Sequence, residues 1–291
     1  MRQEAGREVE GWRARDARAH IARYRERFGH LPDLDNPTTY TGIMFKLLLS
    51  PECMNPLRQF VTDKEYVKDY VRGVVGDAYN VRTYGVLRHP GALDRAHFPE
   101  RCAIKPTHLS GHAVFRARGE KVPIEALRAW FSWNFYRRTL EGNYRYLRPK
   151  IIVEEFLQED GRPFPSDYKV YCFHGVPALV QVDLDRTTAH RRAFYSCKWQ
   201  RLPCDDNVAM QTEPIARPRC LEEMLEIARK LSAAFNVLRV DLYASSAGVK
   251  VGELTNFPGG CGEPFSPPKV DARLGRLFFE PRLDVYELLS A

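Results

Sequence analysis

Long hydrophobic runs are missing from this chain of 291 residues. A membrane-spanning helix needs about 18 or more consecutive apolar residues. The best candidate, Ile43 to Leu49, is short and carries Lys46. An apolar export segment is missing too, because the N-terminal residues are rich in Arg and Glu. No two cysteines have the C-x-x-C spacing, and their number, seven, is odd. Without an export segment they read as reduced thiols, mostly packing residues. A cytoplasmic protein with at most peripheral membrane association is expected. Internal repeats are absent, and 44% hydrophobic with 28% charged residues excludes a disordered, collagenous or low-complexity chain.

Acidic residues are scarce in two places. The chain carries 44 basic and 37 acidic residues, a net charge of +7, which favours an anionic partner without choosing among phosphate, acidic glycan, nucleic acid and membrane. Arg186 to Arg201 has no acidic residue against Arg186, Arg191, Arg192, Lys198 and Arg201. Arg137 to Lys150 has Glu141 alone.

Residues 1–30 read as an exposed Arg/Glu-rich helix docked by Trp12, Ile21, Tyr24 and Phe28. Leu31 to Thr39 is turn chemistry. Thr62 to Val71 reads as a helix capped by Thr62, and Pro123 to Leu140 as an aromatic-rich helix. Val81 to Leu87, Cys102 to Lys105 and Ile151 to Leu157 read as strands. Tyr168 to Phe173 and Val176 to Asp183 flank His174-Gly175, a two-residue hairpin link. Leu221 to Phe235 has clean helical spacing. Val237 to Tyr243 and Val249 to Thr255 make a last hairpin. Strands interleaved with helices in this way predict an α+β fold rather than a doubly wound parallel sheet. The turn at Pro149 is the expected lobe boundary, giving a helical segment (1–60), a first lobe (61–150) and a second lobe (151–291).

In the last hairpin, Asp241 and Glu253 share a parity, so regular antiparallel pairing projects both from one face with Arg239 and Thr255. Two converging carboxylates need solvent, a paired cation or a metal. Oxygen ligands select Mg²⁺ or Mn²⁺; the plainer alternative is Arg239 bridging Asp241. In Cys102 to His112 an apolar strand delivers Lys105 into a loop containing Ser110-Gly111. Backbone amides of such a loop can line a phosphate, although GxxxxGK[ST] is absent. His108 and His112 have no ligand cluster beside them, so zinc is disfavoured. Glu154-Glu155 closes one strand and Asp167-Tyr168-Lys169 opens the next. Tyr144 to Arg148 interleaves aromatic and basic residues, which suits single-stranded nucleic acid or, more ordinarily, an exposed amphipathic loop.

In order along the chain, Lys64 (VTDKEYVKDYV), Lys105 (CAIKPTHLSG), Glu154-Glu155 (IIVEEFL), Asp167 to Lys169 (SDYKVYCFHG), Gln181 to Tyr195 (QVDLDRTTAHRRAFY), Asp241 (LRVDLY) and Glu253 (VGELTNFPGG) resemble the TupA-like ATP-grasp family of cell-surface polysaccharide biosynthesis. The resemblance implies an ATP-grasp fold, two α+β lobes gripping ATP. It implies that Lys105 touches the phosphates, with Thr107, His108, Ser110 and Gly111 in the mobile cover. It implies that Glu154 or Glu155, with Phe156 and Leu157, forms the adenine hinge, and that Asp167 and Lys169 face the phosphates from the second lobe. Lys64 falls in a matching DK pattern. Asp241 and Glu253 would hold Mg²⁺ or Mn²⁺. Leu109 and His112 stand where family members carry glycine, which implies a stiffer loop. Thr255 stands at the last position of the usual Glu-x-Asn, with Asn256 one residue on, so either Asn256 enters through a bulge or the metal keeps an extra water.

ATP-grasp chemistry converts a carboxylate to an acyl-phosphate that an amine attacks. The resemblance therefore implies a carboxylate–amine ligase joining an amine or amino acid to an acidic, uronic acid-type glycan or precursor. Arg186, His190, Arg191 and Arg192, with Arg239, would face the acceptor or acyl-phosphate. Lys105 and Lys169 are expected to be exposed cations facing each other across the cleft. A sugar kinase or glycosyltransferase-like enzyme, or a non-catalytic polyanion binder, are the alternatives. No nucleic acid is expected as partner.

Overall fold

The computed structural model describes residues 2–159, 164–184, 190–205 and 208–290, with side chains from Arg13 onward. Four helices come first: α1 (Arg2–Phe28), α2 (Tyr40–Leu49), α3 (Pro56–Thr62) and α4 (Val67–Val74). Strands β1 (Thr83–Leu87), β2 (Cys102–Pro106) and β3 (Val114–Arg116) precede short helices α5 (Ile124–Trp130) and α6 (Phe135–Thr139). Then come β4 (Ile151–Glu155), β5 (Asp167–Phe173), β6 (Val176–Leu184), β7 (Arg191–Ser196), α7 (Leu221–Ser232), β8 (Val237–Ser245), β9 (Gly248–Thr255), α8 (Pro268–Phe279) and α9 (Val285–Ser290). The fold is α+β, with two antiparallel sheets ordered β1-β4-β2-β3 and β7-β6-β5-β8-β9.

Alternation along β2 and β4 sorts the first sheet into two faces. Cys102, Ile104, Ile151 and Val153 pack with Leu127 and Trp130 into one core. Ala103, Lys105, Ile152 and Glu154 lie on the opposite face. Because β4 pairs with both β1 and β2, the change of sheet falls after Glu155, beyond the turn at Pro149.

In the second sheet one face is apolar throughout. Val170, Val180, Val240 and Leu242 pack against Met224, Ala228 and Leu231 of α7. The other face changes character along β5: Tyr171 and Phe173 lie in a core shared with α2 and α8, whereas Lys169 and Asp167 lie beyond them. The β5–β6 link is a tight turn with His174 and Gly175 both left-handed, φ 48° and 78°. A Cβ on Gly175 would also meet Ala233 Cα at 3.1 Å, so glycine is required there for conformation and for space.

Several elements differ from the sequence reading. Thr62 ends α3, its hydroxyl donating to the Arg58 carbonyl at 2.7 Å, and does not cap a following helix. The aromatic-rich stretch breaks into α5 and α6, the second capped by Asn134, which accepts from Arg137 N at 2.9 Å. The apolar run Ile43 to Leu49 belongs to α2, buried against α8. That pair sits close: a Cβ on Gly275 would lie 2.0 Å from the Thr38 carbonyl oxygen. Arg191 and Arg192 of the basic run begin strand β7, which pairs with β6. No described helix is long and apolar enough to cross a membrane. All seven cysteines are free thiols, five of them buried.

Candidate active site: a cleft between the two sheets

A cavity of about 420 Å³ separates the sheets. Its first wall carries Ala103 and Lys105 of β2 with Gly111 and His112 of the following loop; its second carries Asp167, Asp183, Asp241 and Glu253. Glu155, Phe156 and Leu157, after β4, line the connection. Three phenylalanines cluster there, with ring centroids 5.4 Å apart for Phe115–Phe164, 5.6 Å for Phe156–Phe164 and 6.2 Å for Phe115–Phe156. Phe115 and Phe164 escaped the sequence reading because they come from separate loops and strands with no shared spacing.

Strand register assembles the charged wall. Lys169 pairs with Gln181 on one side and Asp241 on the other; Asp241 comes opposite Glu253 not through regular pairing, which would set it opposite Gly252, but through a register shift between Asp241 and Leu242. Asp167 pairs with Asp183, which pairs with Arg192. Residues directly opposite in antiparallel strands share a face, so the pattern across β7, β6, β5, β8 and β9 lines up these side chains. The Lys169 ammonium contacts Asp167, lies 3.2 Å from Asp241 and 3.7 Å from Asp183, and is only 3% exposed. It is therefore a buried counter-ion, not the exposed cation the sequence suggested. Arg239 grips Asp241 with two hydrogen bonds, 2.7 and 2.8 Å, and reaches Thr255 Oγ1 at 3.1 Å. Burial pushes the Asp241 carboxyl up, but Arg239 and Lys169 outweigh it and hold it below the usual carboxylate range.

The Glu253 carboxylate makes no ion pair or hydrogen bond among the described residues, although it faces Asp241 across the ribbon. A carboxylate has about four lone-pair sites, so Asp241 retains acceptor capacity beside Arg239. Two opposed carboxylates fit a hard divalent cation whose remaining positions are left to other oxygen ligands. Asn256 does not join them. Its side chain is buried on the other side of β9, accepting from Arg58 at 2.9 Å and donating to Thr62 Oγ1 at 3.0 Å. Thr255 keeps the parity of Glu253 and is occupied by Arg239.

On the first wall Lys105 lies 2.9 Å from Glu154, which also takes Lys68 at 2.6 Å. Burial raises the Glu154 carboxyl, yet the two lysines bring it down to about 2. Glu154 is thus an internal counter-ion, and Glu155 lines the cavity instead. The loop after β2 is anchored from behind. Thr107 is fully buried near Asp63, and His108 is buried against the Trp130 carbonyl at 3.1 Å; neither lines the cleft, contrary to the expected nucleotide contact. Leu109 fills the core of the first lobe. Lys64 donates to the Leu109 carbonyl at 2.6 Å, so it fastens this loop while lining the cleft. Gly111, left-handed at φ 78°, turns the chain back into the cavity.

The basic run gathers on Asp183. Arg192 donates to Asp183 at 2.6 and 3.3 Å, and His190 lies 3.2 Å from it. Arg191 is exposed and Arg186 lies outside the described residues. Tyr144 and Arg145 are half-buried, Arg145 bonding the Tyr136 hydroxyl.

The family model for TupA-like ATPgrasp matches residues 46–279. This chain belongs to the TupA-like ATP-grasp family. Its fold is the ATP-grasp fold. Solved structures similar to it include D-alanine–D-alanine ligase from Bacillus anthracis, 16% identical over 79% of this chain and 67% of that one, TM-score 0.44. The ATP-grasp ligase PsnB, with a phosphomimetic variant of its minimal precursor, Mg and ADP, is 15% identical over 82% and 66%, TM-score 0.44. Phosphoribosylamine–glycine ligase from Thermotoga maritima is 12% identical over 80% and 56%, TM-score 0.41. The chain thus spans about two thirds or less of the length of these proteins. No curated protein sequence matches it.

Proposed function

We propose that this TupA-like ATP-grasp protein is an ATP- and Mg²⁺-dependent carboxylate–amine ligase of the cytoplasm. Its acceptor is an acidic, uronic acid-type glycan or precursor, and its second substrate an amine or amino acid. The observation that carries the reading is the pair Asp241 and Glu253, with Lys169 buried against Asp241, lining one cleft with Lys105 and the Gly111 loop. The phenylalanine cluster and the backbone of Glu155 to Leu157 suit adenine. Lys105 and loop amides suit the phosphates, with Lys64 holding the loop.

An acceptor carboxylate oxygen attacks the γ-phosphorus; the bond to the β,γ-bridging oxygen breaks, and ADP leaves with that electron pair. The amine nitrogen then attacks the acyl carbon, the carbon–oxygen bond breaks, phosphate departs and the nitrogen gives up a proton. Asp241 and Glu253 would hold magnesium, which neutralises phosphate charge. Arg239 and Lys169 orient Asp241 and keep it ionised. Lys105, paired with Glu154 in the free protein, can turn to a phosphate because Glu154 keeps Lys68 as its counter-ion.

Incubation with ATP, Mg²⁺, an oligogalacturonate and hydroxylamine is expected to give ADP, phosphate and a hydroxamate in equal amounts. ADP from a neutral sugar, with no phosphate released, would replace the ligase with a kinase.

A further inference from the structure

A second cavity, about 630 Å³, adjoins the nucleotide cleft and meets it at Glu253, which lines both. The cover loop divides them: Ser110 faces the second cavity and Gly111 the cleft. The size lies within the range of pockets that enclose small ligands. Its outer wall is α1, whose Arg23 and Arg27 lie outside the family-matched residues 46–279. Arg138 of α6 stands opposite.

These three arginines are exposed. Arg23 is positioned by the carbonyls of Thr139 at 2.9 Å and Arg138 at 3.4 Å. The guanidinium groups of Arg27 and Arg138 have no ion pair or hydrogen bond among the described residues, although Arg138 sits 5.1 Å over the Phe135 ring. The acids of the cavity are Glu141 at its floor, Glu253 at the shared edge and Glu263. Half-buried Phe28, Phe135 and Tyr144 complete the walls, with buried Tyr24 packed on Phe28 at 4.4 Å.

We propose that this cavity is the acceptor site, binding an acidic oligosaccharide with its reacting carboxylate at the Glu253 edge and its further carboxylates on Arg23, Arg27 and Arg138. The inference rests on the ligase reading for the direction of the reacting group. Arginine forks match carboxylates in a bidentate way. The half-buried rings of Phe28, Phe135 and Tyr144 offer apolar surface to sugar rings, which favours a uronate oligomer over an acidic peptide. The position makes chemical sense, because an acceptor here presents its carboxylate to the same edge that the γ-phosphate reaches from the cleft.

The test is calorimetric titration of trigalacturonate into the protein held with Mg²⁺ and a non-hydrolysable ATP analogue. Arg27→Gln/Arg138→Gln should weaken trisaccharide binding at least tenfold and change nucleotide affinity less than twofold. The methyl-esterified trimer should bind the wild type no better than the variant. Unchanged trigalacturonate affinity in the variant, no binding to the wild type, or preference for triglutamate would each overturn the proposal. Arginine-dependent binding without hydroxamate formation keeps the pocket and removes the ligase chemistry. Hydroxamate formation that the double substitution leaves untouched keeps the chemistry and overturns the pocket.

Discussion

Lys169 and Lys105 are both lysines on cleft strands, yet their environments predict opposite outcomes on truncation. Lys169 compensates three aspartates in the interior. Lys169→Ala removes the cation they share and leaves them repelling one another, and loss of one partner of a buried ionic cluster costs about 3–5 kcal/mol. Lys105→Ala leaves Glu154 with Lys68, so its cost should be about 1 kcal/mol, while nucleotide binding weakens. Urea titrations of the two variants should differ accordingly; equal midpoints would show that Lys169 is not a structural cation. Glu141 supplies the pH counterpart. Burial, reinforced by Glu253, raises its carboxyl from 4.5 to about 8 despite Thr139 and Arg138. Between those values the folded state binds a proton that the unfolded state has lost, so this group's contribution to stability falls as pH rises from 4.5 through 8. Glu154, held at about 2, works in the other window: its contribution is present above 4.5 and lost as pH falls through 2. Glu141→Gln should flatten the decline above pH 5, measured as denaturant midpoints without nucleotide. A wild-type profile with no decline there would refute the buried neutral acid.

The loop after β2 shows how an element is set by what lies behind it. Leu109 takes a core position at 2% exposure, Thr107 and His108 are buried, and Lys64 ties the loop's carbonyl to the segment after α3. Only Ser110 onward faces open space. Leu109 therefore anchors the first part of the loop and leaves Ser110 as the start of its open part. Leu109→Ala removes a buried side chain and should cost about 2–5 kcal/mol. It should also speed amide exchange in residues 107–112 selectively. Uniformly faster exchange across both sheets would mean that Leu109 holds the whole molecule rather than the loop. The β9 end illustrates the same logic: Asn256 is one residue past Thr255, which shares the face of Glu253, and alternation sends it to Arg58 and Thr62.

At the scale of the molecule, two sheets contribute opposite walls of one site, so a ligand that spans them stabilises the native state. With free nucleotide at a hundredfold excess over its dissociation constant, linkage predicts about 2.7 kcal/mol. Mg²⁺–ATP should therefore raise the melting temperature clearly, ATP with EDTA much less, and Glu253→Gln should remove most of the difference. Equal stabilisation with and without magnesium would argue against a cation held by Asp241 and Glu253.

The α+β class, the two hairpins and helix α7 were legible in the sequence, because period is a local property of the chain; the shared face of Asp241 and Glu253 was not, since regular pairing would set Asp241 opposite Gly252 and a bulge brings Glu253 there instead. The order of motifs from Lys64 to Glu253 was also legible, and with it the family. Tertiary structure alone decided which charges are buried. Lys169 and Glu154 look like surface ions in sequence, and become internal counter-ions only because neighbouring strands bring Asp241, Asp183, Lys105 and Lys68 beside them. It decided that α2, apolar enough to read as a stray run, packs on α8 more than two hundred positions later. It also decided that α1 closes a second cavity against α6, since no local pattern records which distant surface a helix will cover.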